Sequence, residues 1–156
     1  MPAGRRLLAA LGPRKLELAR DRCAGAIVLL VTPAYISAAR RILGDDSTLV
    51  IDQMLVLDAD PARARQTARR PLRFLSGLRG YRSSFARMGF TDDDIDGLSD
   101  TLVDQLVIWG DADAIAARIG QYRQAGADHV VLHVLNDGAQ PGPIEVARQL
   151  AGRLIG

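Results

Sequence analysis

Few residues in this chain combine the types and spacings that do chemistry. The sharpest candidates are Ala10, Leu11 and Gly12, directly ahead of Pro13. A glycine between a strand and a helix lets backbone N–H groups approach a phosphate, and the helix adds the positive end of its dipole. A plain turn with no ligand is the competing reading, because Leu-Gly-Pro is not a glycine-rich fingerprint. Thr32 precedes Pro33 in a similar setting. Its hydroxyl suits a helix N-cap, and the same place suits contact with an anionic group of a substrate or cofactor. His129 and His133 are the only histidines. On a strand they share one face but lie about 13 Å apart, too far to hold one metal. His133, nearer the strand's C-terminal end, is the one placed to line a substrate pocket; a satisfied core histidine is the alternative. The acids at 92–96 lack the spacing and closing glutamate of a calcium loop, so helix capping explains them better. No nucleophile elbow, phosphate-loop motif, dinucleotide fingerprint or zinc spacing occurs. The sequence nominates no catalytic residue and no metal site.

The elements that carry these residues alternate. Arg6 to Ala10 reads as a strand, followed by a helix from Pro13 that carries Leu16, Leu18, Ala19 and Cys23 on its apolar side and ends at Gly25. Ala26 to Val31 is a second strand. Thr32 and Pro33 open a helix that stops at Gly44, and Thr48 to Leu57 is a third strand. Asp58 and Asp60 bracket the start of an arginine-rich helix that Pro71 should bend or interrupt, with its arginines on a solvated face. Residues 77–100 read as a helical insertion with Tyr81, Phe85 and Met88 on one stripe. A helix from Thr101 to Trp109 follows. Asp111 then caps a helix that repeats Ile115, Ile119 and Tyr122 and stops at Gly126. His129 to Leu135 has the composition of a strand covered on both faces. A last helix runs from Pro143 to about Leu154. Strands alternating with helices imply a parallel α/β sheet with right-handed crossovers.

Composition narrows the function classes. The chain has 156 residues, 48% of them hydrophobic, enough for one domain with a core. Its net charge is +2, and its arginines are scattered without interleaved aromatics, which argues against a nucleic-acid surface. Lys15 is the only lysine, so almost all positive charge is arginine. Cys23 is the only cysteine and cannot form an internal disulfide, as expected of a reducing, cytoplasmic compartment. The apolar run 26–31 is too short to span a bilayer, so no membrane partner is expected.

Taken in order, several segments resemble the luciferase-like oxidoreductases. They are Ala9 to Arg14 with Leu16 to Ala19, then Leu57 to Arg65, then Met88-Gly89-Phe90. The last runs from Trp109-Gly110-Asp111 to Gly126-Ala127-Asp128-His129-Val130. Each is weak alone; together they span nearly the whole chain. The arginine-rich composition is similar to that of the branch using the deazaflavin coenzyme F-420, with FMN the alternative. The resemblance implies a TIM (β/α)8-barrel fold, of which 1–156 would supply the C-terminal half, about four βα units. It implies that Ala10, Leu11 and Gly12 contact the phosphate-bearing tail of the cofactor, and that the usual acid–base residues come from the other half. The expected function is a flavin- or deazaflavin-dependent oxidoreductase, of monooxygenase or hydride-transfer type, truncated and inactive alone. A homo-oligomer or a separate N-terminal half-barrel is then the expected partner. A non-catalytic remnant, or a small module binding phosphate ligands, is the other reading.

Overall fold

A computed structural model describes residues 6–154 of the chain. Its elements are β1 (Leu7–Ala9), α1 (Pro13–Arg22), β2 (Gly25–Leu29), α2 (Pro33–Leu43), β3 (Thr48–Leu57), α3 (Pro61–Ser76) and α4 (Arg79–Arg87). They continue with α5 (Asp92–Gly97), α6 (Asp100–Leu106), β4 (Ile108–Gly110), α7 (Ala112–Gln124), β5 (His129–Val134) and α8 (Pro143–Leu154). No helix among the described residues is long and apolar enough to cross a membrane.

All ladders between these strands are parallel. β1 pairs β2, and β2 pairs the first half of β3. Asp52 is in register with Leu29 of β2 and with Val131 of β5, so β2 and β5 flank β3 on opposite edges. Leu55 likewise meets both Ile108 and Val134, which places β4 beyond the end of β2 on the same edge.

Two apolar clusters sit on opposite faces of this sheet. Alternate residues of a strand face opposite ways. Leu49, Ile51, Leu55 and Leu57 join α1, α2, α7 and α8 in one cluster. Met54 and Val56 join α3 to α6 in the other. The helix that returns the chain to β5 within the outer layer is therefore α7, while α3 to α6 fold over the opposite face. Phe85, Ile95, Leu102 and Leu106 are essentially inaccessible there.

The caps explain the boundaries. Proline stands in the first turn of α1, α2 and α3, where its missing N–H costs nothing. Thr32, Asp60, Ser99 and Asp111 each accept a backbone N–H three residues on. Among the acids at 92–96, Asp94 caps, forming a reciprocal capping box with Thr91 on α5, while Asp92 and Asp96 pair with Arg82 of α4.

Four expectations change. α3 runs through Pro71 without a break. Burial of Ala64, Ala68 and Leu72 offsets the bond that proline removes. Its arginines are not simply solvated: Arg65 reaches Asp100 and Asp104 at 2.8 and 2.7 Å and lies 5.3 Å over the Trp109 ring, while Arg69 pairs with Asp100. They fasten α6 to α3. The expected helix to Trp109 ends at Leu106, because Ile108 to Gly110 pair with Leu55 to Leu57 as β4. β5 is not covered on both faces. Val130, Leu132 and Val134 are half-buried against the outer layer, whereas His129, Val131 and His133 are exposed on the other face.

Candidate functional site

The C-terminal ends of β1 and β2 open onto a cavity of about 270 Å³. Its walls are Ala9, Ala10 and Leu11 from the first turn, Ile27 and Leu29 from β2, Asp52 from β3, Lys15 from α1 and Tyr81 from α4. The turn is well formed for an anion. Gly12 occupies the N-cap of α1 with no side chain to satisfy the helix's first donors, and Pro13 follows it. Arg87 of α4 lies across the turn and donates from Nη2 to the Leu11 carbonyl at 2.6 Å. A Cβ built on Gly12 would stand 3.5 Å from that guanidinium nitrogen. Charge, free donors and a small residue thus meet at one place.

The nominated residues contribute differently. Ala10 is buried, and its N–H is committed to the Ile27 carbonyl at 3.1 Å. Leu11 and Gly12 are half-exposed at the rim. Thr32 is not part of this cavity. Its hydroxyl accepts from Tyr35 N at 3.2 Å, and it borders a separate cavity of about 410 Å³ with Met88, Phe90, Gln105 and Arg118. Between the two, Leu30 holds a positive φ of 54° while fully buried, a conformation that costs a non-glycine residue of order 1 kcal/mol or more. His133 is exposed on the open face of β5, in register with Met54, and lines neither cavity. Cys23, expected on the apolar side of its helix, is the partly exposed C-cap of α1.

Sequence reasoning missed Lys15, Asp52 and Arg87, and placed Tyr81 only in an apolar stripe. The one available signal was Asp52 itself, an acid inside a strand otherwise almost wholly apolar. Burial pushes the Tyr81 hydroxyl above its ordinary pKa, and the charge of Asp52 pushes it further. Burial likewise raises Tyr35, with Arg87 opposing.

A second polar set braces the same end of the sheet. Asp58, just past β3, accepts from Arg63 Nε and Nη2 at 2.9 and 2.8 Å and from Asp60 N at 2.9 Å. Gln140, from the loop after β5, is buried against Thr67 and Asp58. Arg63 holds the Asp58 carboxyl at about 2, well below its ordinary 3.8. Because the folded value is the lower one, this contribution to stability is present above pH 3.8 and is lost as pH falls toward 2. Thermal unfolding should therefore show a drop over that window, and the drop should be smaller in Asp58→Asn.

No family model matches the sequence, and no curated protein does. Solved structures do match. The coenzyme F-420-dependent tetrahydromethanopterin reductase from Methanopyrus kandleri superposes with a TM-score of 0.68 at 18% identity, over 94% of this chain and 49% of that one. An F-420-dependent secondary alcohol dehydrogenase, in complex with an F-420–acetone adduct, gives 0.65 at 13%, over 94% and 47%. EDTA monooxygenase from Chelativorans sp. BNC1 gives 0.63 at 13%, over 96% and 43%. The fold is that of half a luciferase-like barrel. This half barrel spans about half the length of the structures it matches. Its parallel strands, and the cavity at their C-terminal ends, stand where barrel folds build their sites.

Proposed function

We propose that this half barrel is the C-terminal half of a luciferase-like oxidoreductase site, and that it holds coenzyme F-420, with FMN the alternative. The observation that carries the reading is the turn Ala10-Leu11-Gly12, with an uncapped helix start and the Arg87 guanidinium on one side and a cavity on the other. A phosphate-bearing tail would lie against the Leu11 and Gly12 backbone, between Arg87 and Lys15. The ring would extend toward Ile27, Leu29 and Tyr81, whose apolar surfaces exclude water from it. When bound, the cofactor supplies the hydride or oxygen chemistry; the protein supplies position and electrostatics. Two of the structures named above are F-420-dependent enzymes, which favours the deazaflavin. Thr32 is proposed as a contact for an anionic substrate group, and His133 as a wall of the substrate space on the open face.

The reading also requires a covering layer. β1 and β5 each pair on one edge only among the described residues, and Leu7, His129, Val131 and His133 are exposed on the face opposite the outer helices. We propose that a second set of strands covers the part of that face that α3 to α6 leave open, from another copy or from an N-terminal half-barrel. On this proposal the acid–base residues come from an N-terminal half-barrel, in a cytoplasmic enzyme acting on a small molecule.

Fluorescence titration with coenzyme F-420 and FMN, with light scattering on the same sample, tests both points. Micromolar binding by a self-associated species is expected. Binding of simple phosphate compounds with no preference for a flavin would favour a phosphate-binding module instead. A stable dilute monomer would contradict another copy as the source of the covering layer.

A further inference from the structure

Asp52 is an unusual residue to find on this sheet. It lies in the middle of β3, in register with Leu29 on one side and Val131 on the other. Its carboxylate therefore has apolar neighbours on both adjoining strands. It faces the cavity bounded by Ala9 to Leu11, Lys15 and Tyr81. Its Oδ1 is buried and has no hydrogen-bond partner among the described residues. A buried acceptor left unmatched is costly, and folded proteins rarely leave one without a use. The carboxylates just past the C-terminal end of β3 are engaged: Asp58 by Arg63, and Asp60 by the start of α3. Asp52 is different because its half-buried side chain forms part of the cavity wall while Oδ1, itself buried, has no hydrogen-bond partner among the described residues.

We propose that Asp52 is a ligand-binding residue that accepts a hydrogen bond from a ring N–H inside this cavity, and so selects planar heterocycles carrying a donor on that edge. This inference rests on the reading that the cavity beside the Ala10–Gly12 turn holds a flavin-type ring. The oxidised rings of both flavins and deazaflavins offer such a donor at N3. The ligand is then held at two ends. The anionic tail lies at the rim, by Lys15 and Arg87. The uracil-like edge points inward, at Asp52. Tyr81, fixed against Phe85 with ring centroids 6.2 Å apart, forms a wall between them. The helices over 77–100 thereby contribute to binding through both Tyr81 and Arg87.

The test uses rings without a tail. Lumiflavin and N3-methyl-lumiflavin are titrated into the wild-type chain and into Asp52→Ala and Asp52→Asn, with FMN and coenzyme F-420 alongside. Wild type is expected to bind lumiflavin about tenfold or more tighter than its N3-methyl analogue, as loss of a hydrogen bond to a charged group implies. Asp52→Ala should bind the two equally, at the weaker level. Asp52→Asn keeps an acceptor without the charge and should fall between. Thermal unfolding of both variants should be no lower than wild type, because Asp52 Oδ1 has no partner to lose. Undiminished discrimination in Asp52→Ala would overturn the proposal, as would a large loss of stability without loss of discrimination. If FMN or F-420 binds wild type and Asp52→Ala alike, only this proposal fails. If none of the ligands binds wild type, the reading of the cavity fails as well.

Discussion

Gly25→Ala is expected to abolish the folded state. Gly25 opens β2 with a φ of +153°, and a Cβ there would sit 1.9 Å from the Thr48 carbonyl oxygen. The obstacle is backbone, not a side chain that can swing away. Gly25 is in register with Thr48, and the Thr48 N–H is already tied to the Ala24 carbonyl at 2.9 Å. Relief would require parting β2 from β3 where the two strands begin. We expect a loss exceeding about 4 kcal/mol, in the range of severe single substitutions. Gly120→Ala is the matched control. Gly120 lies within α7 with nothing near its would-be Cβ. The control should raise stability by about 0.5–1 kcal/mol through helix propensity. Expression, circular dichroism and thermal unfolding of the pair would check both signs.

Arg40→Ala should give the next largest loss. Arg40, in the last turn of α2, donates from Nε and Nη2 to the Gly126 carbonyl at 3.0 and 2.7 Å. Its Nη1 serves the Gly44 and Ser47 carbonyls at 2.9 and 2.7 Å, and Nη2 also meets Asp128 at 2.6 Å. Asp128 in turn accepts from Leu49 N at 2.7 Å. Burial raises the Asp128 pKa, but the Leu49 N–H and Arg40 outweigh it, leaving the carboxyl below its ordinary value. One planar fork thus joins the end of α2, the turn into β3 and the turn into β5. The side chain is only 16% exposed, so water cannot fully replace what is lost. We expect about 3 kcal/mol, or roughly a 10 °C fall in melting temperature for a chain of this size. Arg40→Lys should recover little, because an ammonium cannot span these acceptors. Because the clamp sits at the N-terminal ends of β3 and β5, ligand binding by the surviving folded fraction should be unchanged.

Most of the fold was legible in local chemistry. Pro13, Pro33 and Pro61 mark helix starts because proline costs a helix nothing in its first turn, and Thr32, Asp60 and Asp111 mark them because their oxygens cap. β3 and α2 follow directly from such signals. β4 was not legible. Three residues after a helix, with Val107 and Ile108 continuing an apolar pattern, look like more helix until the edge of Leu55 to Leu57 is there to pair with. The open face of β5 was hidden for a similar reason. His129 to Leu135 has the composition of a covered strand, and only the sheet shows that, among the described residues, its His129, Val131 and His133 face stays exposed. At the site, the turn was visible because glycine before Pro13 is a local signal. Asp52, Tyr81 and Arg87 were not, since they come from β3 and α4 and meet the turn only in three dimensions.

The central claim is that the turn after β1 and the cavity beside it receive the cofactor. Hydrogen–deuterium exchange with and without coenzyme F-420, and with and without FMN, tests this most directly. The account predicts slowed exchange in peptides covering 9–16, 25–31 and the helix 79–87, with little change around Thr32 to Ala34 or in α8. Protection confined to the second cavity, or cofactor binding that leaves 9–16 unprotected, would contradict it.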